Sequence, residues 1–179
     1  MKKMLLILII LWANNVYATE SSTKSSKLGP CQIGVFDNCH GSYTFDTGHH
    51  YSGEWQKNLR DGYGVFTYPN GNKYKGTWKN NVFHGRGSMV FATGHKYYGR
   101  YNDGKRTRGT MKYPNGSKYS GGWKSNRKHG RGILTYDGVK YLGKWKNGLR
   151  YGRVTKKLPN GTIIRGKWEN NKFVQNLTS

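Results

Sequence analysis

From residue 51 onward the chain keeps restarting. The segments Tyr51-Ser52-Gly53-Glu54-Trp55, Tyr74-Lys75-Gly76-Thr77-Trp78, Tyr97-Tyr98-Gly99-Arg100-Tyr101, Tyr119-Ser120-Gly121-Gly122-Trp123 and Tyr141-Leu142-Gly143-Lys144-Trp145 follow one another at intervals of 22 or 23 residues. A degenerate sixth copy is Ile164-Arg165-Gly166-Lys167-Trp168. Each copy runs into a polar turn such as Lys79-Asn80-Asn81 or Lys146-Asn147-Gly148. A Gly-x-Gly step follows (Gly62/Gly64, Gly85/Gly87, Gly130/Gly132), then an apolar alternation such as Val65-Phe66-Thr67-Tyr68. A second turn closes the unit: Pro69-Asn70-Gly71, Pro114-Asn115-Gly116 or Pro159-Asn160-Gly161. A unit this short cannot cover its own apolar face, so neighbouring units must stack.

Short strands alternating with Asn-Gly-type turns predict β-hairpins. Side chains alternate across a strand, so Tyr74, Gly76 and Trp78 share one face, and Lys73, Lys75, Thr77 and Lys79 the other. Gly87, Met89 and Phe91 likewise oppose Arg86, Ser88 and Val90. One face is therefore read as aromatic and glycine-lined, the other as basic. Glycines let large rings lie flat on bare backbone, which buries ring area without a second layer. The structural aromatics are expected to be Tyr51, Trp55, Tyr74, Trp78, Tyr97, Tyr119, Trp123, Tyr141, Trp145 and Trp168. The expected fold is all-β: an elongated, twisted, single-layer antiparallel ribbon, roughly 50 Å long at about 4.8 Å per strand.

These motifs together resemble the MORN repeat (membrane occupation and recognition nexus), of an exported bacterial type. The resemblance covers residues 51–163 as five repeats: 51–73, 74–96, 97–118, 119–140 and 141–163. Residues 164–179 hold a C-terminal half repeat and tail, and 31–50 an N-terminal cap with a half repeat. The third repeat departs from the pattern, with Tyr101 for Trp and a lone Gly109; it is one residue short. The fourth replaces its Pro-Asn-Gly turn with Tyr136-Asp137-Gly138, and the fifth has Val154 where a second glycine belongs. A uniform ribbon is not expected near 101–109 and 150–158. The resemblance implies a binding or scaffolding module, with phospholipid binding and protein assembly as the known themes.

The chain opens with Lys2 and Lys3, an apolar run from Met4 to Ala13, and Val16-Tyr17-Ala18 before Thr19. This reads as a signal peptide over residues 1–18, followed by a Ser/Thr-rich linker over 19–30; an uncleaved anchor is the other reading. The expected destination is the periplasm or secretion. Export favours a disulfide between Cys31 and Cys39 over two free thiols. Closing so short a loop is worth roughly 2.5 kcal/mol on a chain-entropy basis.

Thirty-one Lys and Arg stand against eight Asp and Glu, a formal net charge of +23. Such an excess calls for an anionic partner. Nucleic acid is not expected in vivo, because of export and because aromatics are not interleaved with the basic residues. The acids Asp46, Asp103 and Asp137 suit turns better than catalysis. No nucleophile elbow, phosphate loop or metalloprotease motif is present. His84 and His129 occupy matching positions, but on different hairpins, so no metal site and no cofactor is expected. The chain is read as a non-enzyme.

The predicted binding face carries Lys73, Lys75, Lys79, Arg86, Lys96, Arg100, Lys118, Lys124, Arg131, Lys140, Lys144, Lys146, Arg153, Arg165 and Lys167. Its expected function is adhesion to anionic envelope lipid or glycolipid surfaces. The alternative is a protein–protein scaffold or homodimer, acting through the aromatic face or a terminal strand.

Overall fold

The computed structural model describes residues 28–32 and 34–177. The signal-peptide segment and most of the linker lie outside them. Thirteen strands form one antiparallel sheet: β1 Cys39–Thr44, β2 His50–Gln56, β3 Leu59–Thr67, β4 Lys73–Lys79, β5 Val82–Val90, β6 Lys96–Asn102, β7 Lys105–Lys112, β8 Lys118–Lys124, β9 Arg127–Tyr136, β10 Val139–Lys146, β11 Leu149–Lys157, β12 Ile163–Glu169 and β13 Lys172–Asn176. Spatial order equals chain order, so among the described residues every strand pairs only with its sequence neighbours. The single-layer ribbon read from the sequence is what forms.

Each repeat is a bulged hairpin. Its inner turn is two residues long with φ positive at both, as at Asn80-Asn81, Asp103-Gly104 and Asn147-Gly148. That is the type I′ geometry that suits twisted hairpins and explains the Asn and Gly there. Beyond the turn the strands lose step. In the first repeat Trp55 faces Arg60 but Gly53 faces Gly64, so β3 carries two extra residues. The second and fourth repeats do the same. The left-handed residue of the bulge is the first glycine of the Gly-x-Gly step: Gly62, Gly85, Gly130 or Gly152. The third repeat has one extra residue instead of two, between Arg106 and Arg108. Its missing residue is thus absorbed as a smaller bulge, and no glycine is needed.

The second glycine has a different reason. Tyr51, Tyr74, Tyr97 and Tyr119 are fully buried, each ring lying over a pair of facing glycines. A Cβ on Gly64, Gly87 or Gly132 would enter the ring of Tyr51, Tyr74 or Tyr119. None of these glycines has positive φ. The four hydroxyls donate to the carbonyl three residues on: Glu54 (2.9 Å), Thr77 (2.8 Å), Arg100 (3.2 Å) and Gly122 (3.0 Å). The tryptophans tie repeat to repeat. Trp78, Trp123 and Trp145 donate from Nε1 to the carbonyls of Gly64, Gly109 and Gly132 in the preceding repeat.

The two ends differ. Cys31 and Cys39 are disulfide-bonded. The 29–32 segment lies along the outer edge of β1, with Cys31 N donating to His40 O at 3.0 Å and His40 N to Gly29 O at 2.8 Å. Phe36 packs on Trp55 at 4.6 Å and is clamped by Asn58, completing a partial repeat. At the other end β13 pairs, among the described residues, only with β12, and all five of its residues are exposed.

Candidate functional site: a cationic sheet face

Register turns the basic face into ordered rows. Take the glycine pairs as the midline of the sheet. One residue toward the inner turns, adjacent strands present Arg86 (β5), Arg100 (β6), Arg108 (β7), Gly122 (β8), Arg131 (β9), Lys144 (β10), Arg153 (β11) and Lys167 (β12). Three residues to the other side runs an all-lysine row: Lys73, Lys96, Lys112, Lys118, Lys140 and Lys157, interrupted by Val90 and Thr135. The rows are four residues apart, or roughly 13 Å. All of these cations are exposed.

Many of them face a like charge directly. The cross-strand pairs are Arg86–Arg100, Arg100–Arg108, Arg131–Lys144, Arg153–Lys167, Lys96–Lys112, Lys112–Lys118 and Lys140–Lys157. Like charges directly opposite destabilise a sheet by a few tenths of a kcal/mol, up to about 1 kcal/mol each. Little on the protein offsets this: among the described residues the one ion pair is Lys167–Glu169, at 3.1 Å.

Between the rows lies a strip of Ser88, Tyr98, Thr110, Ser120, Ile133, Leu142 and Thr155. Tyr98, Ile133 and Leu142 are exposed there. The glycine midline carries no side chain on this face, so the Arg-rich row and the strip form the walls of a trough. Two cavities mark it, one of about 860 Å³ over β7–β11 and one of about 510 Å³ over β3–β6.

The sequence-derived residues all reach this face, but in different places. Arg86, Arg100, Arg131, Lys144 and Lys167 stand in the Arg-rich row, and Lys73 in the lysine row. Lys75 and Arg165 continue the strip at its ends. Lys79, Lys124 and Lys146 sit apart, next to the inner turns. Arg108, Lys112 and Lys157 were missed. The short third repeat obscures the parity of Arg108, and Lys157 follows the irregular Val154.

The separation of charge from aromatics needs correction. Arg60, Arg106, Lys128 and Arg150 lie on the aromatic face, over the Trp of the next repeat at 4.6, 4.6, 4.8 and 4.7 Å. Phe83 takes the same position in the second repeat, stacked on Tyr74 at 3.8 Å. Asn81 and Asn126 each accept a hydrogen bond from the Arg side chain of the preceding repeat, Nε of Arg60 and of Arg106 respectively, at 3.0 Å. Burial lowers the pKa of all four cations. For Arg60, Arg106 and Arg150 nearby tyrosines pull the other way. Lys128 is lowered further by Arg150. These residues close the aromatic layer over and are structural. Counting back four from Gly64, Gly132 or Val154 would have placed Arg60, Lys128 and Arg150 on that face. Arg106 escapes the count because its bulge is smaller. Among the described residues no group of His, Cys, Asp and Glu is arranged to hold a metal ion.

Sequential bulged hairpins with a shared aromatic layer define a repeat array of the kind used as a binding module. The MORN repeat matches residues 51–73, 74–96, 97–118, 119–138 and 141–162, and the chain belongs to that family. No curated protein matches the chain. Among solved structures it is similar to the TCP10 domain of Danio rerio CPAP in complex with a STIL peptide: 12% identity and TM-score 0.45 over 70% of this chain and 57% of that one. It is also similar to the SAS-4 (dCPAP) TCP domain of Drosophila melanogaster in complex with a proline-rich motif of Ana2, at 16% identity and TM-score 0.37 over 86% and 98%.

Proposed function

We propose that this protein is a non-enzymatic binding module whose cationic face adheres to anionic lipid or glycolipid head groups. The observation that carries this reading is the set of seven like-charged cross-strand pairs on one face with so little internal compensation. An anionic surface relieves that repulsion across both rows. Each Lys or Arg held near such a surface contributes about 1 kcal/mol, so five or six in contact give weak, salt-sensitive adhesion. Export through residues 1–18 is part of the proposal, because it brings the face to the cell envelope.

The test is co-sedimentation with vesicles of phosphatidylcholine and increasing phosphatidylglycerol. Bound fraction is expected to rise with phosphatidylglycerol and fall with salt. A variant with Lys73, Lys75, Lys124, Lys144 and Lys146 changed to Glu is expected to lose binding. Adhesion indifferent to lipid charge and salt would end the reading.

A second reading rests on β13. Among the described residues nothing pairs with its outer edge, and the strand is exposed, which favours strand addition by a second copy or another protein. It predicts a concentration-dependent dimer or a partner complex that Val174→Pro abolishes. A strict monomer that captures nothing through this edge argues against it.

A further inference from the structure

We propose that the trough is the seat of one linear acidic polysaccharide, laid across the strands with its carboxylate or sulfate groups on the Arg-rich row. The proposal rests on the reading of this face as anion-binding and names the ligand class.

The first argument is spacing. From β5 to β12 the row offers one cation per strand, broken only at Gly122. Neighbouring strands are about 4.8 Å apart, so the row runs for roughly 34 Å. One strand step is close to the length of one pyranose unit, so sugars keep step with the strands, and in a twofold or threefold chain the acidic groups that face the row return at every second or third strand. Guanidinium suits such groups because it donates two parallel hydrogen bonds to a carboxylate or sulfate. The row is mostly Arg, whereas every cation of the outer row is Lys.

The second argument is the opposite wall. Ser88, Thr110, Ser120 and Thr155 line it with hydroxyls; Thr110 and Ser120 bond each other at 2.7 Å and Ser88 donates to Lys75 O, which leaves lone pairs to accept from sugar hydroxyls. Ile133 and Leu142 are exposed inside a charged face, and apolar side chains there suit the C–H faces of sugar rings. The glycine floor lets a ring lie low between the walls. A bilayer is flat: it meets the Lys row and the Arg row alike and has no use for a trough. Single-stranded nucleic acid needs repeated aromatic platforms. From β5 to β12 Tyr98 is the only ring in the strip; the others on this side, such as Tyr63 and Tyr151, stand outside it.

The probe is an oligogalacturonate series of increasing length, titrated against the full chain by calorimetry. Affinity is expected to climb with length and level off once the chain covers the eight strands of the row. Two triple variants remove equal charge: Arg108→Gln with Arg131→Gln and Arg153→Gln, and Lys96→Gln with Lys112→Gln and Lys140→Gln. The arginine set is expected to weaken binding at least about tenfold, the lysine set less than about threefold. Near-UV circular dichroism of both sets checks that the aromatic layer is intact. Equal losses in the two sets would overturn the proposal. So would oligothymidylate binding as tightly with the same row dependence, or vesicle adhesion with no uronate binding. The last result would leave the lipid reading standing, while loss of both would remove the two together.

Discussion

In the fourth repeat Tyr119 lies over Gly121 and Gly132, and its hydroxyl reaches Gly122 O. One hairpin further on, Val154 stands where the second glycine belongs. A Cβ on Gly143 would meet Arg153 and Val154 rather than a tyrosine ring. Val154 itself is buried, and Tyr141 is only partly buried, beneath the Arg150 guanidinium at 4.3 Å. The loss passes to the next repeat: Trp168 Nε1 is buried without a hydrogen-bond partner, where Trp145 has Gly132 O. Two glycines one residue apart therefore do unlike things. The first supplies a left-handed backbone for the bulge; the second supplies an empty volume that a ring fills. The fifth repeat keeps the first and loses the second, so it bends as the others do but does not seat its tyrosine.

The broadest way to stress the seated layer is alkali. Burial raises the pKa of Tyr51, Tyr74, Tyr97, Tyr101 and Tyr119 above the ordinary 10.0, Tyr97 to about 12 and the others further. A phenol raised in the folded state supports folding fully below pH 10 and progressively less as pH climbs through the folded value. The sheet is expected to unfold cooperatively above pH 10, with phenolate absorbance from these buried rings rising in step with loss of the far-UV signal. Phenolate from the buried rings appearing in an intact sheet would show that they are not sealed.

Gly132→Val copies the fifth repeat into the fourth and is expected to cost about 3 kcal/mol in urea titrations, through overpacking and a displaced ring. Removing only the hydroxyl separates the repeats more gently. Tyr119→Phe is expected to cost about 1 kcal/mol, Tyr141→Phe near zero. The reverse graft, Val154→Gly, should change stability least, within about 1 kcal/mol, because lost valine burial offsets a seated ring. Its signature is hydrogen exchange: the Trp168 indole N–H should become protected by bonding to the carbonyl of residue 154. An unprotected indole would mean that more than a side chain separates the repeats.

Much of this was legible beforehand. Period, hairpin turns and the parity of Tyr74, Gly76 and Trp78 are local, and they led to the sheet. The cations over the tryptophans were legible only in part: a bulge of two residues keeps Arg60, Lys128 and Arg150 in parity with Gly64, Gly132 and Val154, whereas the one-residue bulge before Arg108 hides Arg106. The trough was not read either, since Arg100 and Arg108 become neighbours only through a register that the short third repeat sets. Tyr141 was grouped with the other structural aromatics because nothing local to it announces that its seat is taken by a residue thirteen positions later.

The strict match of spatial to chain order makes this sheet a tape with one sealed end. Strand pairs loaded in sequence from the C-terminus share no force with distant parts of the sheet. Pulled there, the tape should peel hairpin by hairpin, each step releasing one repeat, and the disulfide-closed end should let go last. A protein anchored near its N-terminus would then lengthen under tension instead of letting go of its surface all at once.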